Sequence, residues 1–463
     1  MLTSILQKII KNKLSWIANR KKIQPLSTFK NDITLSDRNF YQSLKQTHPA
    51  FILEFKKASP SLGVLNNFDP KFVAKTYKKY ASAISVLTDE KYFHGKFEFI
   101  PTIRNIAVNQ PILCKDFFTD PYQIYLARYY QADAILLMLS ILNDYQYLLL
   151  KKLAKSLNMG ILTEINNIEE LNRAINLNAK IIGINNRNLR DFSISMTNTP
   201  YLASKIPKNI IIISESGIKN YHQLRQLKSV VQGFLIGSAL MIGSNLENSI
   251  RKIIIGNNKI CGLTRLQDVK ISKKYGAIYA GFIFCKSSPR YINFETAINI
   301  NNVILMKYIG VFCNEDIDSI IHLVKYLSLY AVQLHGKEDQ IYINNLRKKL
   351  PENIKIWKAI SLNNKNKPSN FKHVDKYIFD NACGGSGSPF DWSLLKNQEL
   401  KNVILAGGLN IKNCILASNL GCFGLDFNSG LEISPGIKDA SKIASLFHSL
   451  REHKIIINEK FIN

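Results

Sequence analysis

The 463-residue sequence lacks most signs of a secreted, membrane-spanning or disulfide-linked protein. Its seven cysteines are odd in number, and no two have the CxxC spacing of a zinc or redox site. The longest apolar stretch, residues 134–140, is far too short to cross a bilayer. The N-terminus alternates apolar and basic residues without the continuous apolar core of a signal peptide, and predicts an amphipathic helix. We therefore expect a cytoplasmic protein without a membrane partner.

Acidic side chains are scarce, with 34 Asp and Glu against 61 Lys and Arg, and the net charge is +27. Such a balance raises the question of nucleic-acid binding. The excess is spread over both halves without a basic tail, and a biased genome composition explains it equally well. The 20 Tyr and 24 Phe lie mostly in apolar runs, where they are typical of a core rather than of a stacking surface. We expect no nucleic-acid partner.

Short apolar runs of strand length alternate with segments of helical periodicity, which is typical of βα units around a parallel sheet. Before residue 255 there are eight such runs, and eight units in this length fit a (β/α)8 barrel. The runs are 51–57, 83–89, 112–117, 134–139, 161–165, 181–187, 211–217 and 233–240.

The same pattern then begins again. We predict two tandem (β/α)8 TIM barrels, residues 1–255 and 256–463, joined near 251–259. One very large doubly wound sheet is the alternative, which two separate counts of eight make less favourable. The second set of runs is 259–264, 279–284, 308–313, 331–336, 354–361, 376–381, 402–409 and 421–430.

Catalytic groups of barrel enzymes lie at the carboxyl ends of the strands, so polar residues late in each apolar run are candidates. Two lysines and three glutamates meeting there would suit acid and base chemistry, the alternative being a structural ion-pair network. Small residues after strands seven and eight favour a bound phosphate over simple turns. The catalytic candidates are Glu54, Lys56, Lys115, Glu164, Asn185 and Glu215, and the phosphate candidates are Ser216, Gly217, Gly237 and Ser238.

Several motifs of the first half resemble indole-3-glycerol-phosphate synthase: FILEFKKASPSLG, SVLTDEKYFHG, ILCKDFFTDPYQ, GINNRNL, SESGI and FLIGSAL. This family closes the pyrrole ring of carboxyphenylamino-deoxyribulose 5-phosphate with loss of carbon dioxide and water. The resemblance implies that Lys115 is the general acid and Glu164 its acid/base partner. It also implies that Lys56 pairs with the substrate carboxylate, while Ser59 belongs to a mobile SPSxG loop that contacts substrate. Many relatives carry Lys at the position of Leu62.

The second half has its own polar residues at predicted strand ends. Cys261 is a candidate thiolate base or nucleophile, although a lone cysteine is more often an apolar core residue. Asp380 is a candidate acid, and His335 is either a site residue or a structural one. Arg290 lies on a Pro-containing loop. Small residues in the loops after strands six, seven and eight predict a second phosphate site: Gly385, Gly387, Gly407, Gly408, Ser429 and Gly430.

This half resembles phosphoribosylanthranilate isomerase through KICGLT, FCKSSPRY, VQLHG, FDNACGGSG, LAGGL and GLDFNSGLEISPGIKD. The resemblance implies an Amadori rearrangement in which Asp380 protonates the ring oxygen and Cys261 removes the C2 proton. Arg290 would pair with the anthranilate carboxylate. The combined order resembles the fused family of bacterial tryptophan biosynthesis, without metal or other cofactor, acting as a monomer on small phosphorylated anthranilate derivatives. One active barrel and one inactive scaffold is the alternative.

Overall fold

The computed structural model describes residues 5–188, 191–362, 370–381, 389–396 and 398–453. The chain divides into two compact units, Met1–Lys219 with Gln223–Ile250 and Asn220–His222 with Arg251–Asn463. Each unit holds one closed barrel of eight parallel strands, in which every strand pairs with its neighbours in the chain and the last pairs with the first. The prediction of two tandem (β/α)8 barrels is therefore confirmed.

The strands of the first barrel are fully buried or nearly so, which explains why they are continuous apolar runs rather than alternating ones. Its first strand closes the barrel against the last, with Ala50 opposite Gly233. The strands are β1 Ala50–Phe55, β2 Ala83–Leu87, β3 Ile112–Lys115, β4 Ala134–Met138, β5 Gly160–Ile165, β6 Ile181–Asn185, β7 Ile211–Glu215 and β8 Gly233–Ile236.

The second barrel closes in the same way, with Lys259 opposite Asp426. Its shortest strand is the first one, so the sequence runs here extend beyond the hydrogen-bonded ladder into the loops. The strands are β9 Lys259–Ile260, β10 Tyr279–Ile283, β11 Lys307–Phe312, β12 Ala331–Leu334, β13 Lys355–Leu362, β14 Lys376–Asn381, β15 Val403–Leu405 and β16 Gly424–Phe427.

Several helices between the strands begin after a side chain that accepts a hydrogen bond from one of their first free N–H groups. The Asp120 carboxylate accepts a hydrogen bond from the N–H of Tyr122, and the Gln123 side chain accepts one from the N–H of Asp120. Asn143 and Gln146 form the same kind of capping box at the start of the next helix. The helices are α1 Ile5–Ile23, α2 Phe40–Gln46, α3 Pro70–Tyr77, α4 Glu90–Phe93, α5 Phe99–Arg104, α6 Pro121–Tyr129, α7 Asp144–Ser156, α8 Ile168–Asn176, α9 Asn198–Ala203, α10 Tyr221–Leu227, α11 Ser238–Met241, α12 Leu246–Ile254, α13 Leu266–Tyr275, α14 Phe294–Val303, α15 Ile317–Leu327, α16 Gln340–Lys349, α17 Cys414–Asn419 and α18 Ala440–Glu452.

Each barrel interior is filled by side chains from its own strands, as a packed core and not a pore. In the first barrel Ile52, Leu113, Leu162 and Ile213 belong to one buried cluster. In the second barrel the fully buried Trp357 packs edge-on against Tyr279, with ring centroids 5.1 Å apart. These cores fix the strand ends, where the polar candidates lie.

Helix α1 confirms the predicted N-terminal amphipathic helix and carries an unforeseen buried cation. Lys13 is 2% exposed, and its ammonium lies 2.8 Å from Asp89 Oδ2 and 2.7 Å from Asp116 Oδ1. Both aspartates follow the carboxyl ends of strands, β2 and β3. The helix is therefore tied to the catalytic end of the first barrel. Among the helices that the structure describes, none combines the length and apolarity needed to cross a bilayer.

Asp133 directly precedes β4 and is a buried carboxylate bound by two arginines. It is fully buried and accepts hydrogen bonds from Arg104, from Arg128 Nη1 at 3.3 Å, and from the N–H of Ile112 at 2.9 Å. We expect Asp133→Asn to lower the free energy of unfolding by about 3–5 kcal/mol, because the buried Arg128 guanidinium loses its counter-charge and Arg104 keeps only the exposed Asp37. Urea unfolding followed by circular dichroism measures this loss.

The matched control is Asp144→Asn, since the Asp144 carboxylate is 57% exposed in its ion pair with Arg173. An exposed pair contributes at most about 1 kcal/mol, so the control should unfold near the wild-type midpoint. Equal losses in the two variants would contradict the role given to Asp133.

Candidate active sites

Three carboxylates surround one ammonium at the carboxyl end of the first barrel. Lys115 is the last residue of β3, and its Nζ lies 3.5 Å from Glu215 Oε2, 3.7 Å from Glu164 Oε2 and 3.8 Å from Glu54 Oε2. Glu54, Glu164 and Glu215 come from β1, β5 and β7. Barrel closure thus brings residues distant in sequence to one point, as the strand-end argument predicts.

The other two catalytic candidates hold these carboxylates in place. Lys56 follows β1, and its Nζ lies 2.6 Å from Glu54 Oε1. Asn185 ends β6 and donates from Nδ2 to Glu164 Oε1 at 3.1 Å. All six candidates therefore meet in one polar cluster, and their chemical roles stay predictions.

Burial and charge set the protonation of this cluster. Burial alone would lower the pKa of Lys115, but the carboxylates of Glu215, Glu164 and Glu54 outweigh it and raise that pKa. Burial raises the pKa of Glu215 to about 8, helped by the two neighbouring carboxylates and opposed by Lys115. Burial also acts to raise the pKa of Glu54, yet Lys56 and Lys115 lower it overall. The site combines a firmly protonated amine with carboxyl groups of different acidity, as acid and base catalysis requires.

Two glycines make room for two of the carboxylates. A Cβ on Gly237 would lie 2.1 Å from Glu54 Oε1, and a Cβ on Gly183 would lie 1.9 Å from Glu215 Oε1. Gly237 was a candidate phosphate residue, and the structure gives it this packing role as well. Gly183 lies within an apolar strand, so only its contact with a side chain from the next strand reveals its function.

The turn after β7 carries two of the predicted phosphate residues in a left-handed backbone conformation. Ser216 and Gly217 both have positive φ angles, 63° and 86°. Asn186 holds this turn, because its Nδ2 donates to the carbonyl oxygens of Glu215 and Ser216, each at 3.1 Å. Sequence reasoning missed Asn186, which directly follows Asn185 in the chain. The two residues have the same side chain, but that of Asn185 contacts Glu164 whereas that of Asn186 contacts this turn. Gly237 and Ser238 lie at the end of β8, the neighbouring strand.

Ser59 lies on a short hairpin that follows Lys56, formed by Ala58–Ser59 and Gly63–Val64. Its hydroxyl is buried without a hydrogen-bond partner among the described residues. A buried unpaired hydroxyl costs free energy, which a bound polar ligand would offset. Leu62, at the hairpin turn, is 52% exposed.

The second barrel brings an acid candidate and a histidine together. The Nε2 atom of His335 lies 3.7 Å from Asp380 Oδ2, and its Nδ1 faces Gln333 Nε2 at 3.0 Å. Gly407 approaches the same carboxylate, since a Cβ there would lie 3.0 Å from Asp380 Oδ1. Asp380 accepts a hydrogen bond from the N–H of Asn381 at 2.7 Å.

Protonation in this barrel differs from that in the first. Burial raises the pKa of Asp380, so its carboxyl retains a proton more readily than an exposed aspartate. Burial also raises the pKa of the Cys261 thiol, against the opposing influence of Lys259. Burial lowers the pKa of His335, which favours a neutral imidazole. A proton donor and a potential thiolate base are both present.

Arg290 already holds a carboxylate of this chain. Its Nε and Nη2 donate to Glu432 at 2.8–3.1 Å, and Lys438 Nζ lies 2.7 Å from the same carboxylate. Gly262, next to Cys261, leaves space for the arginine, because a Cβ there would lie 2.8 Å from Arg290 Cδ. Arg290 therefore borders the site beside Cys261, and sequence reasoning missed its partners Glu432 and Lys438.

A buried ion pair also escaped sequence reasoning. Lys259 Nζ lies 2.6 Å from Asp426 Oδ2, and the side chains are 0% and 7% exposed. Each residue lies in an apolar strand, but nothing local in the sequence shows that the first and last strands place them opposite each other. Gly407 and Gly408 have positive φ, and Ser429 and Gly430 follow β16. Gly385 and Gly387 lie outside the described residues.

Comparison with known proteins divides the chain in the same way. A family model described as indole-3-glycerol phosphate synthase matches residues 6–253, and one described as N-(5'phosphoribosyl)anthranilate isomerase matches residues 258–449. A relative from Buchnera aphidicola subsp. Schlechtendalia chinensis, named "Tryptophan biosynthesis protein TrpCF", is 70% identical over 99% of this chain and all of its own. Relatives with that name from Salmonella typhi and Haemophilus influenzae are 55% and 50% identical, covering 98% and 96% of this chain and 100% and 97% of their own.

The raised pKa of Glu215 predicts how stability depends on pH. Between the ordinary value of 4.5 and about 8, the folded protein holds a proton that the unfolded chain releases, so wild-type stability falls as the pH rises through this window. Glutamine cannot ionise. We expect Glu215→Gln to gain stability relative to wild type as the pH rises through the window, measured as urea midpoints at several pH values.

The matched control is Glu169→Gln, because Glu169 lies exposed on α8. Its difference from wild type should stay constant with pH. A Glu215→Gln difference that is equally constant would show that the Glu215 carboxyl ionises normally.

Proposed function

Because this chain belongs to the family in which indole-3-glycerol phosphate synthase and phosphoribosylanthranilate isomerase are joined, we propose how its own residues divide the two reactions. The protein is a bifunctional enzyme of tryptophan biosynthesis that carries both activities. The C-terminal barrel isomerises N-(5-phosphoribosyl)anthranilate to 1-(2-carboxyphenylamino)-1-deoxyribulose 5-phosphate. The N-terminal barrel converts that product to indole-3-glycerol phosphate with loss of carbon dioxide and water.

In the isomerase, Asp380 is the general acid and Cys261 the general base. The Asp380 carboxyl gives its proton to the ring oxygen of the ribosylamine, and the C1–O bond opens. The Cys261 thiolate then removes the C2 proton, and the resulting enol tautomerises to the ketone. The raised pKa of Asp380 supports the acid role, since the group must be protonated when substrate arrives. Arg290 pairs with the anthranilate carboxylate, exchanging part of its contact with Glu432.

In the synthase, Lys115 is the general acid at the substrate carbonyl. Proton donation to the carbonyl oxygen assists attack by the aromatic carbon, and loss of carbon dioxide from that carbon restores aromaticity. Glu164 assists departure of the hydroxyl group as water, oriented by Asn185. Lys56 binds the substrate carboxylate, releasing Glu54 as it does so. Glu54 and Glu215 keep the Lys115 ammonium at the centre of the site.

A phosphate site holds each substrate at the mouth of its barrel, the carboxyl end of the strands. In the first barrel the N–H groups of Gly217, Gly237 and Ser238 face the phosphate, with the Ser216 hydroxyl beside them, and the positive φ angles of Ser216 and Gly217 support this assignment. Ser59 contacts substrate through its unpaired hydroxyl. In the second barrel the phosphate residues are those predicted from the sequence, Gly407, Gly408, Ser429 and Gly430 together with Gly385 and Gly387, and His335 lies beside the acid.

We further propose that the boundary between the two domains lies between residues 255 and 256, five residues after the point where the compact units divide, that the protein is a cytoplasmic monomer, and that it needs no cofactor. The family models support this boundary, since they end at residue 253 and begin at residue 258.

The observation that carries the assignment is the Lys115 ammonium within 3.8 Å of three carboxylates. We expect Lys115→Met to lower synthase turnover by about 10²–10⁴-fold, the range for loss of a general acid or base, and to accumulate the ketose intermediate from phosphoribosylanthranilate. Asp380→Asn should block formation of the intermediate and still convert intermediate that is supplied. Quantifying both products for each variant tests this division.

Matched controls are Lys152→Met and Asp318→Asn, both at exposed positions outside the two mouths. They should retain both activities. Wild-type production of indole-3-glycerol phosphate by Lys115→Met would overturn the synthase assignment, and wild-type formation of the intermediate by Asp380→Asn would overturn the isomerase assignment.

A further inference from the structure

Lys259 is a buried cation beside Cys261 that neither proposed reaction uses. It lies on β9, two residues before Cys261, and residues two apart along a strand share one face. Its ammonium is completely buried and is held at 2.6 Å by Asp426 Oδ2 from β16. A buried ion pair contributes little to stability beyond what an apolar pair would, so its place at the mouth points to a role in the chemistry.

Gly281 on β10 lets the lysine and the thiol lie side by side. A Cβ at this position would lie 2.8 Å from Cys261 Sγ and 2.9 Å from Lys259 Cε. Both side chains therefore pack over the same glycine. The alkyl stem of Lys259 is fixed there, and its charge is held within reach of the sulfur.

The thiol has to lose its proton before it can act as a base, and burial opposes this. A fixed positive charge close to the sulfur stabilises the thiolate and lowers the pKa of the thiol. Lys438 also favours the thiolate, but its ammonium is already engaged by Glu432 and by Asn428 Oδ1, at 2.7 and 2.8 Å. The other charged or titratable groups facing this cluster are Asp426, Asp380, His335 and Arg290.

We propose that Lys259 is a positioning residue of the isomerase: held by Asp426, it keeps a positive charge beside Cys261 that makes the thiolate available as base. Asp426 limits this effect, because its carboxylate opposes ionisation of the same thiol. The proposal rests on the assignment of Cys261 as base and adds the pair that governs its ionisation.

Two substitutions should move the ionisation of Cys261 in opposite directions. Lys259→Met removes the cation at similar volume, so the pKa of Cys261 should rise by about one unit or more, within the roughly 1–3 units that a close charge produces. Asp426→Asn leaves the cation uncompensated, so that pKa should fall. The rate of iodoacetamide alkylation at Cys261 against pH, read by mass spectrometry of its peptide, measures both shifts.

The isomerase pH profile should follow the thiol. The acidic limb should move to higher pH in Lys259→Met and to lower pH in Asp426→Asn, whereas synthase activity on supplied intermediate should not change. Lys358→Met is the matched control, because Lys358 is another buried lysine of this barrel, paired with Glu338 at 2.7 Å. It should leave the alkylation profile of Cys261 unchanged.

A merely structural ion pair would give shifts of the same sign, or none, in both variants, and either result would overturn the proposal. If Lys259→Met does not fold, Asp426→Asn decides alone: a lower thiol pKa supports the proposal and an unchanged or higher one refutes it. Alkylation does not require turnover. Wild-type isomerase activity in Cys261→Ser would therefore refute the base assignment separately from the measured thiol pKa.

Discussion

The ammonium of Lys115 among three buried carboxylates is the interaction around which the first barrel's mouth is organised. All three carboxylates lie within 3.8 Å of the Lys115 Nζ atom. Carboxylates buried so close together repel one another strongly, and the ammonium between them compensates that repulsion. Lys56 and Asn185 further stabilise the cluster, since each binds the second carboxylate oxygen of a glutamate that Lys115 contacts, Glu54 and Glu164 respectively. The raised pKa of Glu215 acts in the same direction, because proton uptake by this carboxylate lowers its repulsion with Glu54 and Glu164.

The second barrel reaches a similar balance with different groups. Its buried cation, Lys259, lies between a carboxylate and a thiol, and its acid candidate Asp380 lies beside His335, whose pKa is lowered by burial. In both mouths glycines supply the space: Gly183 and Gly237 receive carboxylates, while Gly281 receives the thiol and the lysine stem. In both barrels, opposite charges therefore stabilise the buried polar side chains, and glycines leave the space that these side chains occupy. The apolar side chains of the same strands form the core.

The two barrels and the location of their sites could be predicted from the sequence. Apolar runs indicate buried parallel strands, and polar residues at the carboxyl ends of these runs indicate the end of the barrel at which the site lies. Glu54, Lys115, Glu164 and Glu215 were all found in this way, and they lie together in the structure. The partners of Lys13, Lys259 and Arg290 could not be found, because those contacts join segments far apart in the chain and follow no local period. The glycines under the carboxylates were equally hidden, since a glycine in a strand does not reveal which neighbouring side chain it accommodates.

The contact of Lys13 with Asp89 and Asp116 has a consequence for the order of assembly. Helix α1 precedes β2 and β3 in the chain, so its buried cation has no counter-charge until both strands have been synthesised and paired. The carboxyl end of the first barrel is therefore completed by a helix that is synthesised before both of these strands and packs back onto them. Until then the face of α1 that carries Ile9, Lys13 and Ile17 has no barrel to pack against.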